Sequence, residues 1–140
     1  MKHIDSISVG EKITHSITIT EKMHNDFMNF SGDNSPIHSD KGFALSNGYQ
    51  DRLGYAFLLT CVLSKIYGTI FPGGSELCLK QECDFPNLYY IGDKLEFQIE
   101  VINKNEELKL LTVMTVVKNQ EGKVVFRGKA VFQLKLEETR

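Results

Sequence analysis

The stretch from Leu53 to Phe71 (LGYAFLLTCVLSKIYGTIF) limits the possible folds of this chain more than any other feature. Its one charged residue is Lys65, and it ends at Pro72-Gly73-Gly74, where neither residue type continues a helix. A segment of this kind is about long enough to cross a bilayer. Lys65 within it, the breaks at Gly54 and Gly68, and the lack of a second span argue against a membrane. The mean hydropathy of the whole chain, −0.20, agrees. A helix apolar on all sides is then expected to be the buried centre of a fold in water. Lys65 is read as snorkelling to the surface in preference to contacting a phosphate.

After Gly74 the hydrophobic period falls to two. Leu77 to Phe85, Lys94 to Asn103, Lys109 to Asn119 and Lys123 to Leu136 read as strands. Phe97, Ile99 and Val101 alternate with Glu96, Gln98 and Glu100, as a half-buried strand requires. Asn103-Lys104-Asn105-Glu106 and Asn119-Gln120-Glu121-Gly122 supply turns. Four successive strands predict an antiparallel meander with one face in need of a cover. The long helix is that cover. Since it is apolar all round, the sheet is expected to wrap around it in an α+β arrangement. An open edge strand is an aggregation liability, and pairing with a second copy removes it, so a homodimer is expected.

Ahead of the helix, Ile7 to Thr20 reads as extended, and Thr20 as the N-cap of a helix whose apolar face is Met23, Phe27 and Phe30. Gly32-Asp33-Asn34-Ser35-Pro36 ends that helix in a turn. A short helix over Asp40 to Leu45 follows, then a loop from Ser46 to Arg52. The 140 residues predict a single domain over residues 1–140, large enough to bury a core. A net charge of −2 gives no reason to expect nucleic acid. The N-terminus MKHIDSISVGEK lacks the apolar stretch of a secretory signal. Cys61, Cys78 and Cys83 read as reduced, mostly buried thiols of a cytoplasmic protein, Cys61 as a small core residue. His15 and His24 read as surface residues and, with His3, lack metal-ligand spacing, so no metal is expected.

The residues with chemistry to offer lie in the turn. Asp33 and His38 flank Asn34, Ser35, Pro36 and Ile37. Pro36 fixes its own φ and restricts Ser35, so the turn is stiff enough to aim a carboxylate and an imidazole at one point. Such a pair suits acid–base work on water, because imidazole titrates near neutrality and a carboxylate orients it or takes a proton. These residue types also build ordinary turns, and the residues alone leave both readings open.

The segment FMNFSGDNSPIHSDKGFA, Phe27 to Ala44, resembles the signature of the MaoC-like dehydratases and (R)-specific enoyl-CoA hydratases. That signature is approximately S-G-D-x-N-P-x-H-x-D followed by Phe-Ala. Ser31, Gly32, Asp33, Pro36, His38, Asp40, Phe43 and Ala44 stand in register with it. The resemblance continues through Ser64 and Gly68, Pro72-Gly73, Gln81, Phe85 and Gly92-Asp93. It implies a hotdog fold and a hydro-lyase that reversibly hydrates a trans-2-enoyl thioester. Coenzyme A or an acyl carrier enters as part of the substrate, and no separate cofactor is needed.

The resemblance assigns Asp33 and His38 to the water. It places the Ala56 N–H, at the start of the long helix, as donor to the developing enolate oxygen. Tyr55, Ser64, Tyr67 and Gln81 are the further substrate-binding positions it suggests. Tyr67 and Leu63 are candidates to bound the acyl tail, with core packing the simpler reading of Leu63. Ser64 and Gln81 equally suit hydrogen bonds to nearby backbone. The chain departs from the family in two places: Ser35 stands where Asn is usual, and Tyr55-Ala56-Phe57 stands for His-Gly-Met. Two alternatives share the fold: an acyl-CoA thioesterase, and a non-catalytic dimer that binds an acyl group or partner.

Overall fold

Alternating burial along three strands gives the molecule its floor. In the computed structural model, which describes residues 1–137, strands β3 (Lys94–Asn105), β4 (Leu110–Lys118) and β5 (Val124–Leu134) form an antiparallel meander. Leu95, Phe97, Ile99 and Val101 face inward from β3, and Leu111, Val113, Thr115 and Val117 from β4. One face of the sheet is therefore core and the other meets solvent. Strand β1 (Lys12–Thr18) pairs with β3 along one side.

Strand β2 (Glu76–Gln81) does not continue the expected meander. It pairs with β5, giving the order β1-β3-β4-β5-β2. The chain between Gln81 and Lys94 carries it from that edge back across to β3, a crossing that local periodicity does not reveal. The first expected turn is also displaced: Asn103 to Asn105 belong to β3, and the reversal falls on residues 106–109, where Lys109 has φ 55°. A register shift between Val101 and Asn103 lets the strand run on.

Among the described residues four α-helices lie around the turn: α1 (Glu21–Ser31), α2 (Pro36–Ser39), α3 (Lys41–Ser46) and α4 (Ala56–Thr69). The Thr20 hydroxyl caps α1 by accepting from the Met23 N–H, and Gly32, at φ 76°, ends it in the left-handed conformation. The buried face of α1 differs from the expectation. Met23, His24, Phe27 and Met28 turn inward, whereas Phe30 is 94% exposed because the last turn of α1 runs past the core.

Helix α4 lies on the sheet's inner face, with Leu58, Leu59, Val62, Leu63, Ile66 and Tyr67 in the same core as the strands. This is the hotdog arrangement. In the single chain the helix is not buried all round: Phe57 is 65% exposed, and Cys61, Ser64, Lys65 and Gly68 are also exposed. The sheet contacts only one side of it. The cysteine expectation is corrected with it: Cys61 and Cys78 are exposed and Cys83 half-buried, because α4 and β2 turn the first two away from the core. No helix among the described residues is long and apolar enough to cross a membrane.

Candidate active site

The turn after α1 is built almost wholly from short-range hydrogen bonds. The Ser31 hydroxyl accepts from the Asp33 N–H at 3.1 Å, and the Asp33 carboxylate accepts from the Ser35 N–H at 3.1 Å. Pro36 occupies the first position of α2, where its missing N–H costs nothing. The Ser39 hydroxyl donates to the main-chain oxygens of Asn34 and Ser35. Asp40 closes the segment, its carboxylate accepting from the Phe43 N–H as the N-cap of α3. Ser35, the departure from the family pattern, thus still steadies Asp33.

Asp33 is exposed, and its carboxyl is held below the usual carboxylate range. Ser35 is the main cause, through its side chain and then its N–H, and a charge on the nearby His38 adds to it. Asp33 is therefore ionised at neutral pH. His38 lies half-buried in α2, with Nδ1 2.8 Å from the main-chain oxygen of Leu53. A carbonyl oxygen only accepts, so Nδ1 carries the hydrogen and neutral His38 has its lone pair on Nε2. That is the form a base acting on water requires.

The chain enters α4 beside these residues. Gly54 donates its N–H to the Tyr89 oxygen at 2.8 Å, and a Cβ at Gly54 would stand 2.2 Å from the Tyr89 ring. Only glycine fits there. The Tyr89 hydroxyl donates to the main-chain oxygen of Tyr55 at 2.6 Å, fixing the peptide that also carries the Ala56 N–H. Burial pushes the Tyr89 phenol well up, so it remains a donor. Ala56 is the first residue of a helix of 14 residues, and its N–H has no acceptor within the helix. It also lines a cavity of about 190 Å³ with Gly54, Leu59, Phe85 and Tyr89.

Tyr55 is not where its expected role would put it. It is 2% exposed, and its ring lies 4.0 Å from that of His38, 4.6 Å from Phe27 and 4.7 Å from His24, centroid to centroid. Its hydroxyl donates to the main-chain oxygen of Asp33. The ring stacks on His38 and its hydroxyl braces the turn at Asp33. His24, expected at the surface, is fully buried, because it shares a helix face with Phe27 and Met28 three and four residues on. That spacing was the available signal.

Ser64, Tyr67 and Gln81 form a separate group. Ser64 lies eight residues beyond Ala56, about 12 Å along the helix. With Thr60, Leu63 and Cys78 the three line an open cleft of about 440 Å³. The Tyr67 hydroxyl donates to the Gln81 side-chain oxygen at 3.0 Å, and burial raises its phenol to about 12. The Gln81 amide donates to the Glu82 oxygen at 2.8 Å. Among the described residues no group of three or more His, Cys, Asp or Glu is placed to hold a metal ion.

The chain is 27% identical to an (R)-specific enoyl-CoA hydratase of Aeromonas caviae over 129 residues, 92% of this chain and 96% of that protein. It is 26% identical to a protein of the same name from Rhodospirillum rubrum, over 93% of this chain and 90% of the other. The solved structure of the A. caviae (R)-hydratase superimposes with a TM-score of 0.87, covering 92% and 98% of the two chains at 27% identity. An unliganded R-hydratase of Pseudomonas aeruginosa gives 0.89 at 26% identity, covering 99% and 92%. The family model for the MaoC like domain matches residues 6–123, so the chain belongs to the MaoC-like domain family.

Proposed function

We propose that this protein is an (R)-specific hydro-lyase that adds water to a trans-2-enoyl thioester and runs the reverse dehydration. What carries the reading is the proline-stiffened turn that sets an ionised Asp33 and an imidazole with a free Nε2 beside the first turn of α4. Asp33 and His38 hold the water between them. As its oxygen bonds to the β-carbon, one proton passes to the pair, and the pair returns a proton to the α-carbon from the same side. Hydrogen and hydroxyl are added and nothing is oxidised or reduced. Charge developing on the thioester oxygen is met by the Ala56 N–H and the positive end of α4. The acyl group arrives on coenzyme A or an acyl carrier, and the reaction uses no metal or further cofactor. The cleft at Ser64, Tyr67 and Gln81 receives the more distant part of the substrate.

The same reading makes the protein a cytoplasmic homodimer joined along the free edge of β2. Leu77 and Leu79 are exposed there, and the uncovered side of α4 adds Phe57. Both features call for a partner surface. The test is hydration of crotonyl-CoA by the purified protein, followed as loss of the conjugated enoyl absorbance. Turnover supports the proposal. Release of free thiol from saturated acyl-CoA would instead indicate a thioesterase, and ligand-induced thermal stabilisation without turnover a binding module.

A further inference from the structure

His24 stands on α1 and is fully buried. Its Nε2 is 2.8 Å from the main-chain oxygen of His38. That oxygen only accepts, so Nε2 carries the hydrogen and Nδ1 keeps a bare lone pair. Nδ1 is itself buried and has no hydrogen-bond partner. A phenyl ring would fill the same space without stranding a nitrogen in the interior. What the imidazole adds is the donor at Nε2.

The carbonyl it meets has need of one. His38 belongs to a helix of 4 residues, and the last carbonyls of a helix lack donors of their own. The companion carbonyl is held in the same way, since the Tyr55 hydroxyl donates to the main-chain oxygen of Asp33. The two braces touch: the His24 ring lies 4.7 Å from that of Tyr55, which stacks on the His38 ring at 4.0 Å. One contiguous cluster therefore holds the backbone of both residues assigned to the water. Burial also lowers the His24 pKa, which keeps a further positive charge away from them.

We propose that His24 is a positioning residue of the hydration site, setting the angle of the His38 ring by donating to the His38 carbonyl while resting on Tyr55. This rests on the assignment of Asp33 and His38 as the catalytic pair. The test compares wild-type protein with His24→Phe, His24→Gln and His38→Ala. Crotonyl-CoA hydration and the ring ¹⁵N NMR signals of the histidines are measured on the same samples.

His24→Phe, which keeps the ring and loses the donor, lowers kcat by about ten- to a hundredfold with KM nearly unchanged, and displaces the His38 signals. His24→Gln, which retains an N–H at similar reach, recovers much of the loss. Wild-type kcat and unmoved His38 signals in His24→Phe would overturn the proposal, as would equal losses in both variants. Should His24→Phe fail to fold, the tautomer of His24 in the wild-type protein decides: Nε2–H supports the proposal and Nδ1–H overturns it. If the wild-type protein does not hydrate crotonyl-CoA, or His38→Ala matches it, the catalytic assignment falls. The NMR signals then still decide whether His24 orients His38.

Discussion

The sheet and the helical stretch from Glu21 to Ser46 are held together by different means. In β3, β4 and β5 each residue is fixed by a ladder of main-chain bonds and by an alternating set of core side chains. No single contact there is indispensable to the placing of another. The helical stretch has two helices of 4 and 6 residues, too short to stand alone. Its shape depends on a few side chains that each bond to main chain: Tyr55, His24, Ser39 and Asp40. A redundant scaffold thus carries a site whose geometry depends on single atoms. Substitutions in the sheet should cost stability, and those in the turn should cost activity.

The largest effect expected from that contrast falls on the turn. Asp33→Asn and His38→Ala should each lower the hydration rate by about 10²- to 10⁴-fold, far more than they lower thermal stability. A melt that drops as far as the rate would erase the distinction. Next comes the sheet: Phe97→Ala should cost about 3–5 kcal/mol in urea denaturation, with kcat per folded molecule close to wild type. Phe97 is wholly buried and far along the sheet from the turn in sequence. A selective loss of kcat there would count against the division.

Asp40→Ala removes the cap of α3 and should cost about 1 kcal/mol. Its sharper readout is faster hydrogen exchange at the Phe43 amide, with the strand amides unaffected. The smallest effect concerns pH. Burial is the chief cause of the lowered His24 pKa, with Arg52 and His38 adding to it, while the His38 carbonyl and Glu21 oppose it. Below about pH 6.5 the unfolded chain binds a proton at this histidine that the folded chain refuses, so stability falls with pH. Urea midpoints at pH 7.5 and 5.5 should show a smaller drop in His24→Phe than in wild type. An equal drop would place that sensitivity elsewhere.

The sequence made the sheet's inner face readable because period-two alternation from Leu95 to Val101 is a local signal. It did not reveal that β2 joins β5, since strand order depends on where the chain between Gln81 and Lys94 crosses, and no local pattern encodes that. The apolar length of α4 was plain, but its uncovered side, from Phe57 to Gly68, was not, because composition does not say how far a sheet reaches around a helix. Asp33 and His38 stood out through the motif around Pro36. Their supports did not. His24 resembles any polar residue on an amphipathic helix until its distance to Phe27 and Met28 is counted, and the inward turn of Tyr55 depends on contacts from three separate segments.

The claim at the centre of this account is that one pair, Asp33 and His38, delivers both halves of the added water from one side. Hydration of crotonyl-CoA in D₂O, with the product's configuration read at both carbons, tests it most directly. The account predicts a single (R)-3-hydroxy diastereomer in which deuterium and hydroxyl have entered on the same face. Anti addition, or a mixture at the α-carbon, would contradict it.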